Sequence, residues 1–591
     1  MNINQIADQI VYTNKARCRD CYRCVRVCPV KAIRMHHGQA YVVSERCIAC
    51  GTCIRECPQE AKSFRNDISK AVNLLSEGGI TAVSLAPSFS SAYTTWERFR
   101  IPSALRKLGF GYIAETAVGA YYSARETAAA WNEKSNRTMI GSACPAVVRY
   151  IQSYRPDLVS LLAPVYSPML VHAQLIREKL GSSAKIVFIG PCVAKKAEAE
   201  DPSNHGLVDC VLTFKELNEW LDIKGIRLES CEESQFDDYP AGYARYYPLV
   251  GGLAKTAALH TDLLEETIIG VSGFQDIAQA LDDCTESDRP VFIEPLFCSQ
   301  GCINGPAMPR HPEPFTRRRE ILEYASQPTV TPQEEPPTQR FYKLYSSVPL
   351  PGQVHYSEED IRRVLEEIGQ QKPEDQLNCG SCGYASCRER AIAVLNKMAE
   401  PEMCIPFMRR QAEKRTDRII ETSPNGIVIL DEQLHIISMN PAFRKYFMCS
   451  EAIAGKPISY LIDPDPFERL SSGEESMVEM TMRYEQYHLI CHQIMYPLRE
   501  EKQYVGIFMN ITNLTVNQEK LDQLRSQTVT KARELLEHQI QMAQKLASFL
   551  GEQTAKGEEL VDNLVQMADE KKNPPANRKN DGLWDIYTSK S

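Results

Sequence analysis

The amino-acid sequence predicts a multidomain α+β protein in which cysteine-rich segments flank an α/β core and a helix follows at the C-terminal end. Three observations predict this fold class. The chain has 591 residues, more than one hydrophobic core usually holds. Most of its 21 cysteines fall into three packets. Between residues 67 and 325, buried-strand patterns at Ile80–Leu85 and Ile186–Ile189 alternate with helical patterns such as Ser160–Leu180, which favours a largely parallel sheet.

Composition excludes several functional classes. The net charge is −9, from 67 basic and 76 acidic residues, so no basic footprint for nucleic acid or anionic lipid is present. No apolar run reaches the roughly 20 residues of a membrane helix. The first residues lack the pattern of a signal peptide. We therefore expect a cytoplasmic protein that binds neither nucleic acid nor membrane, whose thiols serve metals in a reducing compartment.

Residues 1–66 contain two copies of one cysteine pattern. Each reads Cys-x2-Cys-x2-Cys-x3-Cys-Pro, the first from Cys18 to Pro29 and the second from Cys47 to Pro58. This is the run of bacterial ferredoxins, in which three cysteines hold one 4Fe–4S cluster and the fourth ligates the other. Zinc is the alternative for a four-cysteine site, but the duplication favours two 4Fe–4S clusters that relay electrons. By this pattern the ligand sets are Cys18, Cys21, Cys24 and Cys57, and Cys47, Cys50, Cys53 and Cys28.

Four further cysteines are scattered, each inside a short segment rich in glycine, proline or alanine. These segments are 141–145, 190–195 and 294–302. Thiolates from three remote loops can hold one large cofactor, and Lys195 supplies a positive donor that suits anionic ligands. On spacing alone, ordinary buried cysteines near tight turns are an equal alternative. The four residues are Cys144, Cys192, Cys298 and Cys302.

Residues 67–326 resemble the catalytic domain of the FeFe (iron-only) hydrogenases. The family motifs Thr-Ser-Cys-Cys-Pro, Met-Pro-Cys-x-x-Lys-x-x-Glu and Glu-x-Met-x-Cys-x-x-x-Cys are matched at residues 141–145, 191–198 and 294–302. The resemblance implies an H-cluster, which is a 4Fe–4S cubane on the four scattered cysteines with Cys302 bridging to a di-iron unit that carries CO and cyanide. Lys195 would bond a cyanide ligand. The implied catalytic candidates are Lys195, Glu126, Glu198 and Glu294.

The sequence departs from the family where protons would be carried. Ala143 stands where the family has the cysteine that passes protons to the di-iron unit, and a methyl group can neither donate nor accept a proton. The two glutamates of the family's proton path would fall near Ser123 and Glu126, so one of them is replaced. Two motif methionines become Gly190 and Leu296. All cluster ligands are kept while the proton relay is not, which predicts low but non-zero hydrogen turnover.

A third cysteine packet follows a proline-rich linker at 327–352. Within the predicted domain 353–412, the spacing of x2, x4 and x16 suits a further 4Fe–4S cluster, with glycines that let the backbone approach the sulfides. It resembles the small 4Fe–4S domain of corrinoid and electron-transfer proteins. Zinc is again the alternative. The ligands would be Cys379, Cys382, Cys387 and Cys404.

Residues 413–513 resemble a PAS domain. Ile420–Asp431 and Leu434–Phe443 read as two strands joined by a tight turn, and Gln486–Met495 and Gln503–Met509 read as further strands. We expect its histidines to be solvated or core residues rather than cofactor ligands. These are His435, His488 and His492.

Residues 514–575 read as a charged signalling helix, and 576–591 as a polar tail. Every seventh position from Leu514 to Phe549 is apolar or small, apart from the polar Thr528, which indicates one edge of a coiled-coil seam. An amphipathic helix on another domain is the alternative. His538 lacks the following acidic residue and the ATP-binding domain expected of a histidine kinase, so we expect the output to pass to another protein.

Together these segments predict a sensory hydrogenase-like protein of anaerobic bacteria. The expected partners are H2 and protons, ferredoxin, and a downstream signalling phosphatase or kinase, with the PAS domain and helix as candidate homodimer surfaces. Two alternatives stay open. One is a catalytic hydrogenase that exchanges electrons with ferredoxin and is regulated by its PAS domain. The other is an iron–sulfur redox sensor or scaffold without a di-iron unit.

Overall fold

The structure is a computed structural model that describes residues 9–512 and Lys531, except 134–136, 241, 260–266, 287–288, 310, 328–339 and 351–353. The chain divides into two compact units, Met1–Met408 and Arg409–Ser591. Apart from Lys531, the predicted helix at 514–575 and tail at 576–591 lie outside the described residues, as does part of the linker at 327–352. The finer domain boundaries remain predictions.

The N-terminal segment is built from two similar halves. Two antiparallel strand pairs frame it, Val11–Thr13 with Lys62–Phe64 and Ile33–His36 with Gln39–Val42. Two short helices, Arg23–Val27 and Thr52–Arg55, each carry the third cysteine of one repeat. Val25, Ile33 and Ile48 are among the apolar side chains buried between the two halves.

Among the described residues of the α/β core, seven strands form two parallel sheets, as the alternating pattern predicted. The larger sheet has the order Tyr112–Glu115, Thr81–Leu85, Lys185–Gly190 and Cys210–Thr213. The smaller sheet has the order Ile268–Ser272, Phe292–Leu296 and Met139–Ile140. The α-helices described in the core are Ile68–Ser76, Phe89–Ala92, Thr95–Arg98, Ile101–Leu108, Ala117–Glu133, Pro145–Tyr154, Pro168–Leu180, Ala194–Glu200, Phe214–Ile223, Gly252–Thr256, Phe274–Glu286 and Pro314–Ala325.

The predicted helix over Ser160–Leu180 is wrong in its first part. A 3-10 helix covers Pro156–Leu161, and the α-helix begins only at Pro168. Proline disfavours helical backbone in the residue before it, and Ser167 is accordingly extended with ψ 156°. Pro168 then occupies the first helical turn, where its missing N–H costs nothing.

Two helices and a group of loops form the third cysteine segment. Glu358–Glu367 packs on Cys387–Leu395 through Ile361, Val364 and Ala391. The helix Ile405–Thr422 begins directly after Cys404 and continues into the second unit.

The second unit contains a five-stranded antiparallel sheet. Its order is Ile436–Met439, Gly426–Leu430, Gln503–Asn510, Leu489–Leu498 and Val478–Tyr484, and it is accompanied by the helices Pro441–Tyr446 and Asp465–Ser471. The first strand begins at Gly426, not at Ile420 as predicted. Ile420 belongs instead to the helix Ile405–Thr422. Asn440 connects the end of that helix to the strand, since its side-chain amide donates to Ile420 O at 2.9 Å while its Oδ1 accepts from Ile427 N at 2.8 Å. No helix in the described part of the chain is long and apolar enough to cross a membrane.

A buried ion network joins the N-terminal segment to the core. The Nζ of Lys196, whose side chain is fully buried, lies 2.6 Å from Asp67 Oδ2 and 2.9 Å from Glu216 Oε1, and it also donates to Val211 O. Arg65 holds the other side of Asp67, and these cations keep the pKa of Asp67 below its usual range although burial opposes this. Lys196 follows Lys195 in the chain, so this network also anchors the helix that carries Lys195.

We expect Lys196→Met to lower the free energy of unfolding by about 3 kcal/mol, because two buried carboxylates lose a shared counter-ion. Arg65 still pairs with Asp67, which keeps the loss at the lower end of the range. Urea unfolding of metal-free protein, followed by the fluorescence of the buried Trp220, measures it. Lys215→Met, an exposed change in the neighbouring helix, is the matched control. A loss within about 0.5 kcal/mol of that control would contradict the prediction.

Candidate functional site

Five parallel strands of the core end at one place. The segments 86–88, 116, 141–144, 191–195 and 297–302 each follow the carboxyl end of a strand, and residues from each of them line one cavity. In α/β sheets the crevice beyond the carboxyl ends of the strands is the usual binding site. The fold thus brings together residues that are as much as 255 positions apart in the chain, since Cys50 and Gly305 line the same cavity.

All four scattered cysteines line this cavity, together with Lys195 and Ala143. Burial raises the pKa of Cys192 to about 12 and also raises the pKa values of Cys298 and Cys302. The neighbouring cysteines raise each of these three pKa values further. The positive charge of Lys195 opposes this rise in the pKa values of Cys192 and Cys302. Metals bind thiolates, so metal binding at this site would release the thiol protons. The positive charge of the metal would then offset the repulsion among the four thiolates.

Lys195 is held at the edge of the cavity by two partners. Its Nζ donates to Glu198 Oε2 at 2.6 Å and to Ser167 Oγ at 3.0 Å. Both partners are largely buried, so the ammonium is fixed in direction. Glu198 therefore positions Lys195, and an ammonium retains a third donor for a ligand in the cavity.

One buried hydroxyl group of the cavity lacks a protein partner. Ser88 is 1% exposed and its Oγ makes no hydrogen bond, whereas the buried Tyr247 hydroxyl has the Ser123 side chain as a neighbour. Leaving a buried polar group unpaired costs about 1–3 kcal/mol, so such a group usually faces a ligand. Four thiols, a fixed ammonium and the unpaired Ser88 hydroxyl fit the H-cluster, with cysteines for the cubane and polar groups for cyanide ligands.

Two of the proton-path positions already have hydrogen-bond partners, and the third carries no polar group. Ala143 lines the cavity, but Ser123 Oγ donates to Tyr166 O at 3.0 Å. Glu126 is buried and its Oε1 accepts from Arg340 N at 3.2 Å. The methyl group of Ala143 therefore leaves the cavity without the proton carrier that the family has there.

Glu294 is placed to position the site rather than to line it. Its two carboxylate oxygens accept from Leu253 N at 3.0 Å and Ala254 N at 3.1 Å, at the start of the helix Gly252–Thr256. Burial raises the pKa of Glu294 to about 7, while these backbone donors favour the charged form. The contact ties the strand that leads to Cys298 to a neighbouring loop.

The eight N-terminal cysteines fall into two groups in the structure. The thiol of Cys24 has those of Cys18, Cys21 and Cys57 as electrostatic neighbours. The thiol of Cys53 has those of Cys28, Cys47 and Cys50 as neighbours. The grouping has the same members as the two ligand sets expected from the ferredoxin pattern, with each fourth cysteine beside the other repeat, and the ligand assignment stays a prediction.

The third packet surrounds a buried arginine. Cys382 has Cys379 and Cys404 as electrostatic neighbours, and Cys387 N donates to Asn378 Oδ1 at 2.8 Å. Hydrogen bonds from Ser381, helped by the charge of Arg390, lower the pKa of Cys379, whereas burial raises the pKa of Cys382 and Arg390 opposes that rise. Arg390 is 1% exposed and has neutral partners at 3.4 Å, namely Pro401 O and Gln370 Oε1. A buried cation needs a counter-charge, and a thiolate-ligated cluster supplies one.

No three His, Cys, Asp or Glu side chains within the described ranges lie close enough together to share one metal ion. A 4Fe–4S cluster gives each cysteine its own iron, so its thiolates need not converge on one point.

Three residues of these sites were missed by sequence reasoning, namely Ser88, Tyr247 and Arg390. Ser88 directly follows the Ala86-Pro87 pair, and Arg390 lies between two cysteines of the third packet. Tyr247 belongs to no sequence motif, and only the fold places it at the cavity.

Comparison with known proteins assigns families to four segments. Residues 79–306 match the iron only hydrogenase large subunit, C-terminal domain, and residues 10–58 match a 4Fe-4S dicluster domain. Residues 375–406 match an Fe-S cluster family, and residues 414–480 match a PAS domain. Four segments of the chain are thus similar to an iron-only hydrogenase domain, to two iron–sulfur families and to a PAS domain.

Individual relatives differ in kind. A NADP-reducing hydrogenase subunit of Solidesulfovibrio fructosivorans is 24% identical over 402 residues, 57% of this chain and 64% of the relative. A cytosolic Fe-S cluster assembly factor of Vanderwaltozyma polyspora is 32% identical over 147 residues, 24% of this chain and 28% of the relative. A solved FeFe-hydrogenase variant of Chlamydomonas reinhardtii has 16% identity and a TM-score of 0.37, and covers 48% of this chain and 99% of that chain. The chain therefore spans less than two thirds of the length of the two curated relatives.

We expect Arg390→Met to lower the reduction potential of the third cluster by roughly 45–90 mV, because the loss of a buried positive charge disfavours the added electron by about 1–2 kcal/mol. A redox titration followed by electron paramagnetic resonance (EPR) measures the shift. Arg388→Met, an exposed change on the same helix, is the control. An unchanged potential in Arg390→Met would contradict the role of this charge.

Proposed function

We propose that this chain is an H2- and redox-sensing hydrogenase-like iron–sulfur protein with low reversible hydrogen oxidation activity. The observation that carries the proposal is the composition of one cavity. Cys144, Cys192, Cys298 and Cys302 line it with Lys195, and Ala143 lies beside them. A cavity that keeps cluster ligands but lacks the proton carrier suits an enzyme that registers hydrogen slowly.

The residues divide the work between holding and positioning. The four cysteines would hold the cubane, with Cys302 bridging to the di-iron unit, which supplies hydrogen binding and heterolytic cleavage when bound. Lys195, fixed by Glu198, would donate to a cyanide ligand, and Ser88 would donate to a second polar ligand. Proton movement would be slow, because Ala143 offers no exchangeable proton at the cavity wall and Glu126 is already engaged by a backbone N–H.

The remaining segments would carry the redox state onward. The two N-terminal ligand sets and the third packet would bind three 4Fe–4S clusters. Cys404 directly precedes the helix Ile405–Thr422, which leads along the chain to the PAS domain. We propose a cytoplasmic signalling role in which the PAS domain and the C-terminal helix form a homodimer and act on a phosphatase or kinase, with ferredoxin as an electron partner.

The similarity to cytosolic Fe-S cluster assembly factors favours a second candidate. In that case the chain would be an iron–sulfur redox sensor or scaffold that binds no di-iron unit. The unpaired hydroxyl of Ser88 favours the first candidate, because a cubane alone offers it no cyanide acceptor.

Infrared spectroscopy of matured full-length protein separates these candidates. We expect bands of bound CO and cyanide, which shift between H2 and argon because the cluster changes state with hydrogen. Cys302→Ala, which removes the proposed bridging ligand, is the control and should lack the bands. Absence of the bands from fully matured wild-type protein would support the scaffold and overturn the hydrogen sensor.

We expect Ala143→Cys to raise H2 evolution by about 10²-fold, the lower end of the effect of a positioned proton donor. The full gain is not expected because Ser123 still replaces a glutamate of the path. Gas chromatography of the evolved H2 measures the rate, and the variants are compared at equal intensity of the infrared bands so that they contain equal amounts of the cluster. Ala143→Val, of similar size but without an exchangeable proton, should show no gain. Equal turnover in wild type and Ala143→Cys would contradict the argument, and wild-type turnover at the level of ordinary hydrogenases would favour the catalytic alternative.

A further inference from the structure

One group of N-terminal cysteines has two different neighbours. We call Cys28, Cys47, Cys50 and Cys53 the junction group, and Cys18, Cys21, Cys24 and Cys57 the distal group. The junction group contacts the hydrogenase cavity on one side and the third cysteine segment on the other.

The cavity side is formed by the loop that begins at Cys50. Cys50 itself lines the cavity with Cys298 and Cys302. Gly51, at φ 75°, packs so closely that a Cβ there would collide with the ring of Pro306. Arg55 Nη1 donates to Asn304 O at 2.6 Å, which holds this loop against the one that follows Cys302.

The opposite side is formed by the chain around Cys28. Lys31 Nζ donates to Gly383 O at 2.6 Å, and Arg26 Nη1 donates to Ser381 O at 3.2 Å, so both flanks of Cys382 are held. Gly383 has φ 94°, and a Cβ there would lie 2.8 Å from Val25 Cγ1 and 3.0 Å from Arg26 N. The two backbones therefore approach as closely as glycine allows.

Charges and rings at this contact connect the two sets of thiols. Lys31 is an electrostatic neighbour of both Cys28 and Cys382. The Tyr384 hydroxyl has the same two thiols as neighbours, and Lys31 Nζ lies 5.9 Å from the centre of the Tyr384 ring. Lys31 from the N-terminal segment and Tyr384 from the third segment therefore each interact electrostatically with a cysteine of both segments.

Further hydrogen bonds hold the N-terminal segment against the third cysteine segment. Met35 N donates to Met398 O at 2.9 Å, and His37 N donates to Glu400 Oε1 at 2.7 Å. These bonds join the hairpin of the N-terminal segment to the chain that leads to Cys404. The third segment is therefore bonded to the N-terminal segment at both ends of its ligand loops.

We propose that the junction cluster is a branch point from which one electron can pass either toward the cavity or directly to the third cluster, without passing through the distal cluster. The step transfers one electron from the reduced junction cluster to the oxidised third cluster, and no bond or proton changes. The proposal requires the three iron–sulfur segments to bind their clusters, but it requires neither a di-iron unit nor a sensing role. Its failure is therefore distinguishable from that of the proposed function.

The test uses the full chain, reconstituted with iron and sulfide, reduced with dithionite and left without a di-iron unit. Cys47→Ala removes a junction ligand, and Cys18→Ala is the matched change at the first cysteine of the other repeat. Iron content and EPR measure which cluster each variant loses. We expect the spin relaxation of the third cluster to slow several-fold in Cys47→Ala, because its magnetic neighbour is gone, and to stay as in wild type in Cys18→Ala. The reverse pattern, or no change in either variant, would overturn the proposal.

A second pair of variants covers the case in which Cys47→Ala does not fold. Lys31→Met keeps every cysteine but removes the donor to Gly383, and Lys372→Met, an exposed change in the third segment, is its control. We expect weaker magnetic coupling of the third cluster in Lys31→Met only. Absence of the coupling from wild type, or equal weakening in both variants, would overturn the proposal.

Matured protein then tests the direction of electron flow. With H2 as the reductant, the third cluster should become reduced in Cys18→Ala and stay oxidised in Cys47→Ala. Reduction in Cys47→Ala would overturn the branch point. If H2 reduces no cluster in wild type while the magnetic coupling is present, the proposed hydrogen chemistry fails and the branch point stands.

Discussion

The carboxyl ends of parallel strands meet at one edge, and this geometric constraint makes the site. The segments that carry Cys144, Cys192 and Cys298 have little in common in sequence except that each follows such a strand. Parallel sheets are buried on both faces, so their strand ends are the natural place for open backbone and unpaired side chains. A lost strand register here would move ligands from three segments at once.

Two adjacent lysines show how the fold separates support from chemistry. Lys196 points into the buried ion network with Asp67 and Glu216, while Lys195 points toward the cavity with Glu198. The helix that carries both is therefore fixed from behind, and the ammonium in front keeps a constant direction. A positive group that is held in place stabilises charge without reorganising, which is what an anionic metal site requires.

The order of the segments and most ligands could be predicted from the sequence, because cysteine spacing within a loop is a local property. The pairing of Cys57 with the first repeat follows from the ferredoxin pattern, and the parallel sheet from the alternation between 67 and 325. Ser88, Tyr247 and Arg390 could not be found in this way, since their roles arise from distant contacts. The helix start at Pro168 and the strand start at Gly426 depend on single side chains and local proline effects, which hydrophobic periodicity does not register.

The buried Arg390 has a consequence for the biogenesis of the protein. Before its metal arrives, the third segment holds a cation in its interior beside thiols and neutral groups, which is an unfavourable arrangement. Metal insertion then supplies binding energy that is at the same time folding energy. Iron supply during synthesis would therefore govern whether this segment, and the helix that starts at its last ligand, becomes ordered. In a cell short of iron, the third segment between residues 306 and 414 would stay unfolded and would be open to proteolysis.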